Sequence, residues 1–302
     1  MKKEKDIRED EIRIIGGQSS TSGRRISWWW IAIILVLAGA GAGVWYNAKR
    51  NAALRAEEPS FFEPLSDETS ANTAPEWFGQ QVDELTPGFC EIRDTVINDI
   101  ALRIYIPHNA ELSLHIGRMN KQDASVIYTA QAADIRADNG KIVGAFVLAG
   151  EPKAWGLSKK GFCAAIDGKV TIGVAENSPL FEQATDTGGY FFRQYPLVDN
   201  GVLVENTPKN KSIRRGICDR AGEIFMVETL NQESFHDFSQ ALVDLGVDNA
   251  IYLVGSTAYG WAVDGDGTRH EFGEDNYYSG RRSMPKNTSY IVRRRKQNEK
   301  YL

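Results

Sequence analysis

The chain has 302 residues, apolar and charged fractions of 42% and 25%, and a formal net charge of −5. This composition supports at least one packed domain, and the acidic balance excludes a nucleic-acid binder, which needs excess Lys and Arg to displace phosphate counterions. Three cysteines, Cys90, Cys163 and Cys218, are too few for a disulfide framework; they read as small buried apolar side chains, one pairing stays open, and their odd number leaves at least one unpaired within a monomer.

Residues 1–27 form a polar tail carrying Lys2, Lys3, Lys5, Arg8 and Arg13. From Trp28 to Tyr46 there is no charged residue, and aromatic residues sit at both ends, as in a spanning helix whose tryptophans rest at the headgroups. We expect an uncleaved anchor with the lipid bilayer as partner, because the preceding tail is too long for the n-region of a signal peptide. Arg24 and Arg25 on one flank nearly balance Lys49 and Arg50 on the other. The tail's further basic residues place the N-terminus in the cytoplasm and the C-terminal domain in the periplasm or outside the cell. Residues 47–87, with Pro59, Pro64, Pro75 and Pro87, have linker composition. Phe61-Phe62 and Trp77-Phe78 interrupt this linker as apolar pairs suited to pack against a domain edge.

The folded domain is expected over 88–302. Ala101–Ile106 and Lys141–Leu148 read as strands, and turn dipeptides recur at Asn139-Gly140, Asp167-Gly168, Asn200-Gly201, Asp264-Gly265 and Asp266-Gly267. The clearest hairpins join Phe162–Ile166 to Val170–Val174 and Gly216–Cys218 to Glu223–Val227. One strongly periodic helix stands out, with Phe235, Phe238, Ala241, Leu242 and Leu245 on one face, Ser234 and Asp237 as an N-terminal cap, and Gly246 as a left-handed stop. It feeds Ala250–Val254, an apolar run that reads as a strand buried on both faces and ends at Gly255-Ser256-Thr257. The fold class is α+β, a β-rich, mostly antiparallel but partly mixed sheet covered by few helices.

The order of these features resembles the phosphodiester glycosidase family, in a divergent bacterial envelope branch, over roughly Lys141–Arg294. Ala250-Ile-Tyr-Leu-Val-Gly-Ser-Thr-Ala258 is similar to the family's Ala-Leu-Asn-Leu-Asp-Gly-Gly-Gly-Ser-Ser strand and turn. Ile213-Arg214-Arg215-Gly216-Ile217-Cys218 is similar to its Pro-Arg-Thr-Ala-Ile-Gly strand, and Gly188–Val198 with Asn200-Gly201 to its Gly-Gly-Pro-Leu-Leu segment. Two positions depart: Val254 stands where the family has Asp, and Val143 where it has the Asn of Asn-Gly-Gly-Phe-Phe. Valine can neither accept a hydrogen bond nor move a proton. The resemblance implies hydrolysis of a sugar phosphodiester by an envelope protein; the alternative is an inactive glycan-binding or scaffold protein of the same fold.

For such a ligand, Arg193 and Arg214 are the candidate phosphate holders, because a planar guanidinium pairs two oxygens at once. Tyr190, Gly255 and Thr257 are further substrate-binding candidates. His236, Asp237 and Ser256 are candidate catalytic groups, with Asp237 also suited to capping and His236 to a surface role. No nucleophile elbow surrounds Ser256. The aromatics Tyr190, Phe191, Phe192, Tyr195, Tyr259, Trp261, Tyr277 and Tyr278 suit either a sugar-stacking surface or a core; Tyr259 and Trp261 share one face. Asp264, Asp266 and Glu271 fit a hairpin loop better than a calcium loop, and His108, His115, His236 and His270 lack zinc spacing, so no metal is expected and no cofactor is assigned. Arg293-Arg294-Arg295-Lys296 reads as a solvated basic tail, or as a contact for anionic lipid or polysaccharide.

Overall fold

The computed structural model describes residues 79–296. The anchor at Trp28–Tyr46, the Phe61-Phe62 and Trp77-Phe78 pairs and most of the linker lie outside the described residues. Among the described residues no helix is long and apolar enough to cross a membrane.

These residues form three antiparallel sheets and two helices, numbered here in chain order. The first sheet runs β1 (Phe89–Ile97), β2 (Ile100–His108), β13 (Glu223–Thr229), β12 (Arg215–Arg220), β14 (Asn249–Leu253), β10 (Pro196–Asp199), β11 (Val202–Leu203). The second runs β16 (Arg269–Phe272), β15 (Gly260–Val263), β4 (Val126–Gln131), β17 (Ser289–Arg295), β3 (Ala110–Ile116). The third runs β6 (Glu151–Trp155), β5 (Ala145–Leu148), β9 (Tyr190–Gln194), β7 (Gly161–Ile166), β8 (Lys169–Val174). Helix α1 is Leu180–Asp186 and α2 is Phe235–Asp244. Both hairpins read from the sequence are present, as β7–β8 and β12–β13. The Asp167-Gly168 and Asn200-Gly201 turns have positive φ at both residues, the mirror-image turn whose twist matches that of the flanking strands.

The β-rich α+β expectation holds, but the partly mixed sheet does not occur among the described residues. The reason lies in the connection from β13 through α2 to β14. This crossover makes the two strands point the same way, as a helical crossover must, yet β12 is inserted between them and pairs antiparallel with both.

Strand alternation then divides the core. Ala250 and Tyr252 of β14, Cys218 of β12, and Phe225 and Val227 of β13 pack with Phe235, Phe238, Ala241 and Leu242 of α2. Ile251, Leu253, Ile217 and Met226 point the other way, into a cluster shared with Tyr128 and Ile291 of the second sheet and Phe146, Cys163 and Phe192 of the third. β14 is therefore buried on both faces, which is why its sequence is a continuous apolar run. Tyr259 and Trp261 pack together under Tyr278 and are core. All three cysteines are buried and unpaired.

Helix α2 starts where its cap requires: Ser234 Oγ accepts the Asp237 N–H at 3.0 Å and donates to the Asp237 carboxylate at 2.7 Å. It ends in a Schellman motif, with Gly246 at φ +82° donating to Val243 O and Val247 N–H to Leu242 O.

The basic C-terminal run is a correction. Arg293 to Arg295 end β17 rather than forming a solvated tail. Arg293 is buried, Arg294 pairs with Asp123, and Arg295 donates to Gly88 O and Ala124 O. Hydrogen bonds from Ser125 and Arg294 hold the Asp123 carboxyl down to about 2.

Candidate functional site

The stretches that carry the family resemblance meet at one end of the sheets. Gly144 faces Arg193 so closely that a Cβ there would lie 2.9 Å from the arginine's own Cβ. Arg193 reaches the Lys159 carbonyl, Lys159 covers the Tyr195 ring, and the Tyr195 carbonyl accepts the Tyr252 N–H. The Tyr252 hydroxyl accepts the Gly255 N–H at 3.1 Å, and Ser256 N–H donates to Ile213 O, one residue before Arg214. Arg214 in turn lies over Phe235 at 4.0 Å, and Phe235 meets Tyr195 edge-on and Tyr252 at a tilt.

Each candidate residue has a definite place in this arrangement. Arg193 and Arg214 are 2% and 3% exposed, and both turn donors to carbonyls of the chain, while Arg193 Nε is buried without a partner. Arg193 Nη1 donates to Lys159 O and Ala175 O, and Nη2 to Glu176 O. Arg214 donates from Nε to Glu233 O at 2.8 Å and from Nη2 to Asn210 O. Gly255 is buried in the turn after β14, whereas Ser256 and Thr257 are exposed on it. Tyr190 lies away from this end: it opens β9 opposite Ala165, while Arg193 and Gln194 close that strand.

His236 and Asp237 sit beside the cluster, in a cleft of about 320 Å³ shared with Asn98, Asp99, Glu233 and Gln240. Asp237 is the helix cap. His236 is half exposed, and its Nδ1 lies 2.6 Å from Glu205, a pairing that holds the Glu205 carboxyl below its usual range. None of the strand-end residues lines this cleft, although Glu233 belongs to the cleft and its carbonyl accepts from Arg214.

Sequence reasoning missed two parts of the site. The first is Lys159, whose ammonium lies 3.0 Å from the Asp134 carboxylate and 2.9 Å from the Tyr195 ring centroid. The Lys159-Lys160 pair just before a buried strand was the available signal. The second is Arg215, which alternates with Arg214 and points into the interior. It pairs there with Glu228, donates to Val254 O and Ala258 O, and stands over Phe272. The Tyr105 hydroxyl lies 3.3 Å from Glu228, and burial together with that negative charge pushes its ionisation well above the usual range. Arg215 thus fixes both ends of the Gly255-Ser256-Thr257 turn from beneath.

Chemically, this end offers the half-buried Lys159–Asp134 pair and the exposed Ser256 and Thr257 hydroxyls. Val143 and Val254 supply no polar group. Among the described residues no cluster of three or more His, Cys, Asp or Glu side chains is arranged to hold a metal ion.

The turn geometry makes one substitution decisive. A Cβ on Gly255 would lie 2.1 Å from Ile213 O and 2.9 Å from the Tyr252 hydroxyl, so Gly255→Ala must move backbone. We expect a loss of about 2 kcal/mol or more in urea unfolding, against no more than about 0.5 kcal/mol for the exposed Thr257→Ala.

No family model matches the chain, and no curated protein matches it. The solved structures that resemble it include these two. One is a zebrafish N-acetylglucosamine-1-phosphodiester alpha-N-acetylglucosaminidase catalytic domain auto-inhibited by pro-peptide, at 12% identity and a TM-score of 0.48, over 70% of this chain and 83% of that one. The other is a hypothetical protein from Synechocystis, at 13% identity and a TM-score of 0.47, over 69% of this chain and 62% of that one. Both are distant likenesses of fold.

Proposed function

We propose that this chain is a membrane-tethered glycan-binding protein that does not hydrolyse sugar phosphodiesters. The observation that carries the reading is the commitment of Arg193 and Arg214 to backbone carbonyls. A phosphodiester needs a fixed cation with free donors, and a guanidinium already holding backbone carbonyls cannot turn outward without giving up those bonds. Val143 and Val254 at the two departing positions can neither give nor take a proton, and Lys159 and Asp134 are held in a mutual ion pair at 3.0 Å.

What remains suits an uncharged sugar. The Lys159–Asp134 pair together with the Ser256 and Thr257 hydroxyls can meet sugar hydroxyls. The tether is Trp28–Tyr46, which would hold the domain on the outer side of the membrane with its tail in the cytoplasm.

The test uses the full chain in detergent, incubated with a panel of sugar-1-phosphodiesters and, separately, passed over immobilised envelope glycans. We expect no sugar release above blank, and glycan retention that falls about tenfold in Lys159→Ala with the fold intact. Release of sugar that disappears in Arg214→Ala, with folding checked, would overturn the reading in favour of a hydrolase.

A further inference from the structure

A second site lies at the opposite end of the first sheet, where Asp219 nears the end of β12 and Asn249 opens β14. It is built around Arg293. Strand alternation turns this side chain away from Tyr290 and Val292 and into the space between the three sheets, against Cys90, Cys163 and Tyr128. It is 5% exposed. Its Nε and Nη2 are buried without a hydrogen-bond partner, and no carboxylate of the described residues pairs with it. Arg215 and Arg294, by contrast, each have one. The two thiols do not supply the missing charge: burial pushes Cys163 up to about 12 and Cys90 higher still, so both are neutral at ordinary pH.

The same side chain lines a cavity of about 540 Å³ between β8 and the β12–β13 hairpin, within the range of about 300–1,000 Å³ that small ligands occupy. Nη1 makes no hydrogen bond and is absent from the buried unpartnered atoms, so it is the nitrogen that keeps access to this space. The polar side chains on this face are Asp219 and Asn249, with Val170, Ile172 and Ile224 as apolar patches and the free edge of β8 at Lys169 and Thr171 closing one side. Asp219 is itself buried enough to raise its carboxyl, with Asp248 adding to the effect, while its Oδ1 accepts the Gly222 N–H.

A buried cation without a counter-ion is unfavourable, and an anion seated against it would remove that penalty. Arg293 is the cation of this face and Asp219 its carboxylate, so a monoanion seated on Arg293 suits the site and a dianion facing Asp219 is disfavoured. Asn249 and Asp219 offer both donors and acceptors, which suits hydroxyl groups. We propose that this cavity binds a small hydroxylated monocarboxylate of the sugar-acid class, its carboxylate held by Arg293 and its hydroxyls by Asn249 and Asp219. The site shares no residue with the strand-end cluster and does not depend on the function proposed for it.

The test is titration calorimetry and thermal shift on the full chain in detergent with glucuronate, glucose and inorganic phosphate. Glucuronate should bind saturably and raise the unfolding midpoint, with glucose and phosphate each at least about tenfold weaker. Arg293→Met should weaken glucuronate by about 30-fold or more while its midpoint without ligand stays level or rises, because an unpaired buried charge has been replaced by a packed apolar chain. Asn249→Ala, at the cavity wall, decides the matter should Arg293→Met fail to fold, and is expected to weaken glucuronate about tenfold. The proposal is overturned by absence of saturable glucuronate binding, by phosphate binding as tightly as glucuronate, or by unchanged affinity in a folded Arg293→Met or in Asn249→Ala.

Discussion

Glu228→Ala is expected to destabilise the domain by about 3–5 kcal/mol, the cost of leaving one member of a buried ion pair alone. Glu228 is 6% exposed and is the carboxylate that compensates Arg215, itself 1% exposed. No other group nearby can take its place, because the adjacent Tyr105 hydroxyl is held neutral by burial. In a domain of this size the unfolding midpoint should fall by about 10 °C. The damage should also reach the site, since Arg215 carries the Val254 and Ala258 carbonyls at the two ends of the turn. Hydrogen exchange at Ser256 and Ala258, whose amides bond to Ile213 O and Gly255 O, should therefore speed up more than exchange in α2. The double variant Arg215→Met with Glu228→Leu removes both charges and should recover most of the loss, because a well-packed apolar pair replaces a buried ionic one at little or no cost. A midpoint unchanged in Glu228→Ala, measured by calorimetry on the full chain, would show that the pair is not what holds this interior together.

The same pair shows where the sequence was legible and where it was not. Helix α2 and strand β14 could be read because each signal has a local cause: a cap three residues from its partner, a helical repeat, a left-handed glycine, and an apolar run too short for a helix. Helix α1 could not. It has seven residues, opens at Pro179 without a side-chain cap, and buries only Ala184, so it shows neither a period nor a start. Arg214 and Arg215 are adjacent and chemically identical, and which of them faces the interior depends on the phase of a strand whose two faces are both buried. The basic run at Arg293 misled for a related reason. Its charges mask the alternation of Tyr290 and Val292 against Ile291, and nothing local says that an arginine without a carboxylate lies among neutral thiols. Lys159 and Asp134 are 25 residues apart, and only the folded sheets bring them together.

Arg193→Met should reduce stability by about 3–5 kcal/mol and, with it, the unfolding midpoint by about 10 °C. The guanidinium ties the loop before β7 to the loop after β8 through Lys159 O, Ala175 O and Glu176 O. Truncation leaves those three part-buried carbonyls without their donors and unties the two loops. Arg193→Lys should rescue little, because one ammonium on a flexible stem cannot span three carbonyls in two segments as a rigid fork does. Burial already lowers the Arg193 ionisation from its usual value, so the side chain is held in spite of its charge, for its hydrogen bonds. A phosphate-binding arginine predicts the reverse pattern: an anionic ligand's affinity would collapse in Arg193→Met while the midpoint of the unliganded chain stayed level or rose, as it does when a cation awaiting an anion is removed. Measuring the midpoint and sugar-phosphodiester affinity together on Arg193→Met and Arg193→Lys therefore separates the two roles. A large stability loss with no phosphodiester binding in either the parent chain or the variants is the outcome that an arginine spent on its own backbone requires.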